Sequence, residues 1–178
     1  MAQSKGIMHL PLAQEFVQQV GGEFAFDLVK YCERLKRDTT DEEIAKKVKA
    51  KITEIRTALN RLHYRGIACY QKTRNQKTGW YSYTWNIKTK RIAELITEQQ
   101  LEEVLKLEKK RDFEQNYVFF NCKKGCGNHP FEIAAEYQFR CPECGKTLES
   151  TNNEKKIRDI NRNIKKIGNQ LEEIKIFL

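Results

Sequence analysis

The chain has 178 residues, of which 39% are hydrophobic and 32% charged. That length suits one medium domain or two small ones. No stretch approaches the roughly 20 uncharged residues that a membrane helix needs. The opening MAQSKGIMHL also lacks the apolar block of a secretory signal, so a soluble intracellular protein is expected. The formal charge is +9, and the excess is concentrated in residues 1–90, which hold 17 basic and 9 acidic side chains. Such a surplus favours a polyanion or an acidic protein surface over a neutral small substrate, without choosing between them.

Residues 10–20 place Leu10, Leu12, Phe16, Val17 and Val20 at helical spacings, and Gly21-Gly22 ends the run. Residues 23–36 continue the stripe with Phe24, Leu28, Val29, Cys32 and Leu35. Cys32 fits it as a small buried hydrophobe. Thr40-Asp41-Glu42-Glu43 predicts a capping box, with Thr40 as cap and Glu43 reaching back. The short helix it opens carries Ile44, Ala45 and Val48. A second helix with Ile52, Ile55, Ala58, Leu59 and Leu62 stops at Gly66, which makes a helix-turn-helix. Arg56, Arg61 and Arg65 lie outward on that second helix. They form either a nucleic-acid face or a solvated basic one, and Glu54 near the start weighs against direct base readout.

Two strands are predicted next, Ile67 to Lys72 and Trp80 to Ile87, around a polar tip from Thr73 to Gly79. Alternation puts Tyr81, Tyr83, Trp85 and Ile87 on the face toward the helices and Trp80, Ser82 and Thr84 on the other. Trp80 in a basic hairpin is a contact candidate or a partly buried strand residue. Residues 1–90 therefore read as a winged-helix domain, followed by a linker helix over 91–116 that carries Ile92, Leu95, Ile96, Leu101, Val104 and Leu105.

Cys122, Cys126, Cys141 and Cys144 fall within residues 117–150 as C-K-K-G-C and C-P-E-C-G. Two close cysteine pairs at this separation read as a four-thiolate zinc site. Glycine after the second cysteine of each pair, Gly127 and Gly145, permits the turn. The first pair has one residue more than the usual C-x-x-C. His129 could replace Cys126 as ligand, and a disulfide or an iron–sulfur cluster would use the same cysteines differently. Four thiolates leave zinc no open position, so the ion would be structural. Phe131, Ile133, Tyr137 and Phe139 between the pairs predict short strands, hence a zinc ribbon whose small core needs the metal to fold.

Residues 151–178 form the last segment. Ile157, Ile160, Ile164, Ile167, Leu171 and Ile174 recur at alternating spacings of three and four, a heptad seam. Gly168 weakens this helix by about 1 kcal/mol relative to alanine. The seam predicts an antiparallel coiled coil with the linker helix, or pairing with another chain. The fold class is thus α+β, with winged helix, linker helix, ribbon and C-terminal helix in order.

That order of parts, with Thr40 to Gly66, the aromatic hairpin and the two cysteine pairs, resembles the archaeal transcription factor E alpha family. This family is the counterpart of the large subunit of eukaryotic general transcription factor IIE. Eukaryotic members carry a long C-terminal extension, so an end at Leu178 suggests an archaeal, cytoplasmic and nucleoid-associated protein. The resemblance implies a non-enzymatic initiation factor that docks on the RNA polymerase clamp and stalk, favours the open clamp and stabilises promoter opening. It implies one zinc ion, and contacts of Lys72, Arg74, Lys77, Trp80 and Tyr81 with polymerase or with promoter DNA, chiefly the displaced non-template strand. Some members work with a smaller beta subunit, which the C-terminal seam would serve. The residues alone also admit a zinc-stabilised winged-helix DNA-binding repressor that dimerises through its last helix. A metalloenzyme finds little support, since His9, His63 and His129 join no catalytic set.

Overall fold

The computed structural model describes residues 6–74, 76 and 79–178. They divide into two compact units, Met1–Gln99 with Gln170–Leu178, and Gln100–Asn169.

In the first unit Pro11 opens helix α1 (Pro11–Gly21), where its missing N–H is not required. Helix α2 (Ala25–Leu35), strand β1 (Thr39–Thr40), helix α3 (Asp41–Val48) and helix α4 (Ile52–Tyr64) follow. Strands β2 (Ala68–Arg74) and β3 (Tyr81–Ile87) form the wing, and helix α5 (Thr89–Asn116) starts directly after. The sheet is antiparallel with order β1-β3-β2. The apolar stripes converge on one core around Leu28, Ile44, Ile55, Leu59, Leu62 and Ile67, all fully buried. Each such side chain contributes about 1.5–3 kcal/mol relative to exposure. Ile174 and Phe177 from the far end of the chain pack into the same cluster as Ile92 and Ile96.

Three local details differ from expectation. β1 is only two residues long, too short to show periodicity, and it exists because Thr39 and Thr40 pair with Trp85 and Thr84. Thr40 Oγ1 does accept from the Glu43 N–H at 3.2 Å. The Glu43 carboxylate, however, turns away to Arg37 and to the Tyr31 hydroxyl, which donates to it at 3.1 Å. A charged guanidinium outcompetes the backbone amide that a capping box would offer. The wing's alternation is also incomplete. Trp85 is buried, but Tyr81 and Tyr83 are exposed.

The second unit contains the end of α5, strands β4 (Phe119–Cys122) and β5 (Asn128–Pro130), helix α6 (Phe131–Glu136), strand β6 (Leu148–Thr151) and most of helix α7 (Glu154–Ile174). Its antiparallel sheet has order β5-β4-β6. The segment between the cysteine pairs is therefore part helix, not short strands throughout. Pro130 sets the helix start, and the run Phe131 to Glu136 includes Ala134, fully buried, and Ala135. Alanine favours helix where the aromatic residues alone had suggested strand. Gln138 and Phe139, with φ of 50° and 56°, end that turn.

α7 buries every second seam position within the single chain: Ile160, Ile167 and Ile174 are covered, and Ile157, Ile164 and Leu171 are half-buried. In α5 Gln100 is buried, whereas Leu101 and Leu105 are exposed. The inward face thus falls one position earlier than the leucines indicate. At the start of α7 the Asn153 amide donates to the Glu114 carbonyl of α5 at 3.5 Å, and the Lys156 ammonium lies 3.5 Å from the Glu114 carboxylate. No helix among the described residues is long and apolar enough to cross a membrane.

Candidate functional site

The cysteine cluster is built from two loops that turn back on themselves. Cys122 ends β4, and the Gly125 N–H donates to the Cys122 carbonyl at 2.8 Å. In the second loop the Gly145 N–H donates to the Cys141 carbonyl, also at 2.8 Å. Gly125 and Gly145 adopt φ of +79° and +71°, the left-handed region that a side chain disfavours. The additional residue of the first pair therefore supplies its own turn at Gly125. Gly127, expected in that role, is close to extended with φ of 159°.

The four sulfurs of Cys122, Cys126, Cys141 and Cys144 all lie within 4.8 Å of one another. Cys122 Sγ and Cys144 Sγ approach to 3.4 Å, and all six cysteines of the chain are free thiols. The backbone N–H of Lys124 pulls the Cys122 thiol down to about 7, while hydrogen bonds from Cys144 and Cys122 push Cys126 up to about 12. One thiolate is thus favoured and a second is opposed by the first. Only a cation at the centre allows all four to ionise together. Four thiols converging on one point suit a soft metal ion that takes tetrahedral sulfur ligands. His129 pairs with Phe120 across β4 and β5 and is outside this group of ligand atoms. Cys32 is buried apart from it, and burial raises its thiol to about 11, as an inert core residue requires.

The wing gathers a second set. Register places Arg74 opposite Tyr81 and Lys72 opposite Tyr83. The Lys72 ammonium stands 3.9 Å from the centroid of the Tyr81 ring and 5.9 Å from that of Tyr83. The Arg74 guanidinium is 5.8 Å from the Tyr81 centroid. Tyr81 is 52% and Trp80 79% exposed. Lys77 lies outside the described residues. Below them the aromatic set continues with Tyr70, which contacts Tyr83, Trp85 and His63 at centroid distances of 5.7, 5.3 and 5.3 Å. No sequence pattern marks Tyr70 and His63 as members of this strip. The β2–β3 register sets Tyr70 against Trp85, and His63 joins them from α4, its Nδ1 2.8 Å from the Ala68 carbonyl of β2. Cations above tyrosine faces gain electrostatically and keep the rings presented.

The predicted basic face on α4 is not uniform. Arg56 Nε bonds to the buried Asp41 carboxylate, and its guanidinium lies 3.7 Å from Glu42. Arg56 therefore ties α4 to the start of α3, while Arg61 and Arg65, exposed like it, join no ion pair among the described residues.

A family model described as "TFIIE alpha subunit" matches residues 11–116. "Transcription factor E" of Thermococcus kodakarensis is 34% identical over 160 residues, covering 88% of this chain and 85% of the relative. "Transcription factor E" of Methanocaldococcus jannaschii is 34% identical over 165 residues, covering 91% and 94%, respectively. The protein of the same name from Metallosphaera sedula is 32% identical over 160 residues, covering 90% and 91%. With a helix-turn-helix, an aromatic wing and a four-cysteine cluster in one chain, these matches decide the matter: the chain belongs to the transcription factor E family, the TFIIE alpha type of transcription initiation factor.

Proposed function

We propose that this chain docks on RNA polymerase through its winged-helix unit and its ribbon, favours the open clamp, and stabilises melted promoter DNA. The observation that carries the reading is the strip of exposed aromatic rings and cations at the end of the wing. Lys72, Arg74, Trp80 and Tyr81, with Lys77 in the intervening tip, would contact polymerase or the displaced non-template strand. Rings offer stacking faces to unpaired bases of any sequence, and the cations follow the backbone. Arg61 and Arg65 would add a basic face beside it. A factor of this kind does no bond chemistry. It shifts the clamp equilibrium only by its differential affinity for the two states.

Zinc is the ion we assign to Cys122, Cys126, Cys141 and Cys144. When bound it supplies folding energy and a rigid ribbon, and leaves no site for a reacting water. A smaller beta subunit remains a proposed partner for the half-buried seam positions of α7. The burial of Ile160, Ile167 and Ile174 within one chain argues against a repressor that dimerises through them.

The reading is tested with purified RNA polymerase and a promoter fragment. The chain co-elutes with polymerase and prolongs the half-life of open complexes. Trp80→Ala shortens that half-life roughly tenfold, within the 1–3 kcal/mol assigned to one stacked base. Failure to co-elute sinks the polymerase reading, and an unchanged half-life sinks the role of the wing.

A further inference from the structure

A second cationic surface lies away from the wing. Arg34 and Lys36 lie at the C-terminal end of α2, with Lys30 one turn earlier, 5.0 Å from the Phe26 ring centroid, and Lys46, Lys47 and Lys49 lie at the C-terminal end of α3. All six are exposed, and none belongs to an ion pair among the described residues. The neighbouring acids are engaged elsewhere: Glu43 with Arg37, Asp41 and Glu42 with Arg56, and Glu33 with the Ile7 N–H. Between the two helices is an open cleft of about 360 Å³, lined by Lys30, Arg34, Lys47 and Lys49 with Tyr31 and a single acid, Asp27. The plain explanation, basic residues complementing helix C-termini, asks for little. Each end carries about half a negative charge, so two ends call for roughly one cation, not six.

The backbone adds an independent sign. Lys36 and Lys49 occupy the positions just beyond the two helices in left-handed conformation, with φ of 53° and 60°. Glycine is the usual residue there because it has no Cβ to strain. Both positions hold lysine instead, which is intelligible if the charge is used.

We propose that this cleft binds the phosphodiester backbone of duplex DNA. Lysine acts on phosphate as a point charge and needs no fixed geometry. Protein interfaces instead centre on buried aromatic or arginine anchors and are poor in lysine. The one ring in the cleft, Tyr31, has its hydroxyl held by Glu43. A single strand would need rings to stack on, and those are on the wing. The duplex needs only an array of cations at its phosphates. One unit would thus hold double-stranded DNA at the α2–α3 cleft and unpaired DNA at the wing. The cleft does not depend on the polymerase reading.

The test is fluorescence anisotropy of the full chain with labelled random-sequence duplex and with its single strand, over a series of salt concentrations. The variant K30Q/R34Q/K47Q/K49Q is expected to lose at least tenfold in duplex affinity. Its slope of log affinity against log salt should fall by about 0.9 for each phosphate no longer neutralised. Its single-strand binding should persist, and K72Q/R74Q should show the reverse pattern. Lys49→Gly guards against misfolding: it should keep or raise the melting temperature and still weaken duplex binding. Unchanged duplex affinity and slope in the fourfold variant overturn the proposal, as does equal loss of duplex and single strand. Retained duplex binding with lost polymerase co-elution overturns it too, because the partner is then an acidic protein surface. A chain that fails to co-elute with polymerase but shows the duplex effect leaves the cleft standing.

Discussion

Asp41 and Arg56 show how one ion pair settles both stability and available surface. Burial of the Asp41 carboxyl is the largest single influence and favours its neutral form, but the hydrogen bonds from Arg56 and Glu42 and the Arg56 charge together outweigh it and hold the group below its ordinary 3.8. Because the folded value is lowered, the pair's contribution is present above the unfolded pKa near 4 and is lost as pH falls through the folded one. The guanidinium is half-exposed, so solvent screening keeps the net effect to about 1 kcal/mol. Arg56→Gln should lower the stability read from urea denaturation at pH 7 by that amount, and the gap to the wild type should close as the pH is taken below about 4. A gap that persists in acid would mean that Asp41 does not depend on Arg56. The sequence displays both residues, yet their meeting across fifteen positions is a product of the turn between α3 and α4.

Helices are the elements most legible from the pattern of residues. Thr40 caps α3 as its position in Thr-Asp-Glu-Glu indicates, and Thr40→Ala should cost about 1 kcal/mol in chemical denaturation. The wing is legible in part: its strands alternate, but alternation does not say which aromatics along one face are covered. Tyr81 and Tyr83 have the same period as Trp85 and a different fate. The ribbon shows the clearest element-scale failure of pattern reading. Aromatic residues suggested strand throughout, while Ala134 beneath the cysteine cluster and the left-handed pair Gln138-Phe139 place a helical turn there. Cys141→Ser removes one of four ligands, so it should unfold this unit and abolish stoichiometric zinc binding while the transition of the winged-helix unit remains. A uniform loss across both transitions would contradict that division.

At the scale of the whole molecule, the chain's last residues belong to its first domain. Ile174 is 1% exposed and packs with the core that α1 to α4 build, more than seventy positions after α5 begins. Ile174→Ala should therefore destabilise the winged-helix unit by about 2–5 kcal/mol, the range for a buried Ile truncated to Ala. Calorimetry of the full chain reads this directly, and an unmoved first transition would show that Ile174 is dispensable there. The seam period indicates that α7 needs a mate. It cannot say which, because a heptad records only that one helical face is apolar.

Local chemistry was decided by the chain alone. Periodicity marks the helices, cysteine spacing marks a metal cluster, and the order of modules marks the family, because each depends on residues close together in sequence. Tertiary structure decided the rest. It selected the aromatics left uncovered on the wing, the arginine held in an ion pair, the core that receives the C-terminal end, and the four lysines and arginines that meet around one cleft. Those outcomes depend on which distant surfaces exclude water from each other, and that free energy is set by packing between elements, not by the order of residues within any one of them.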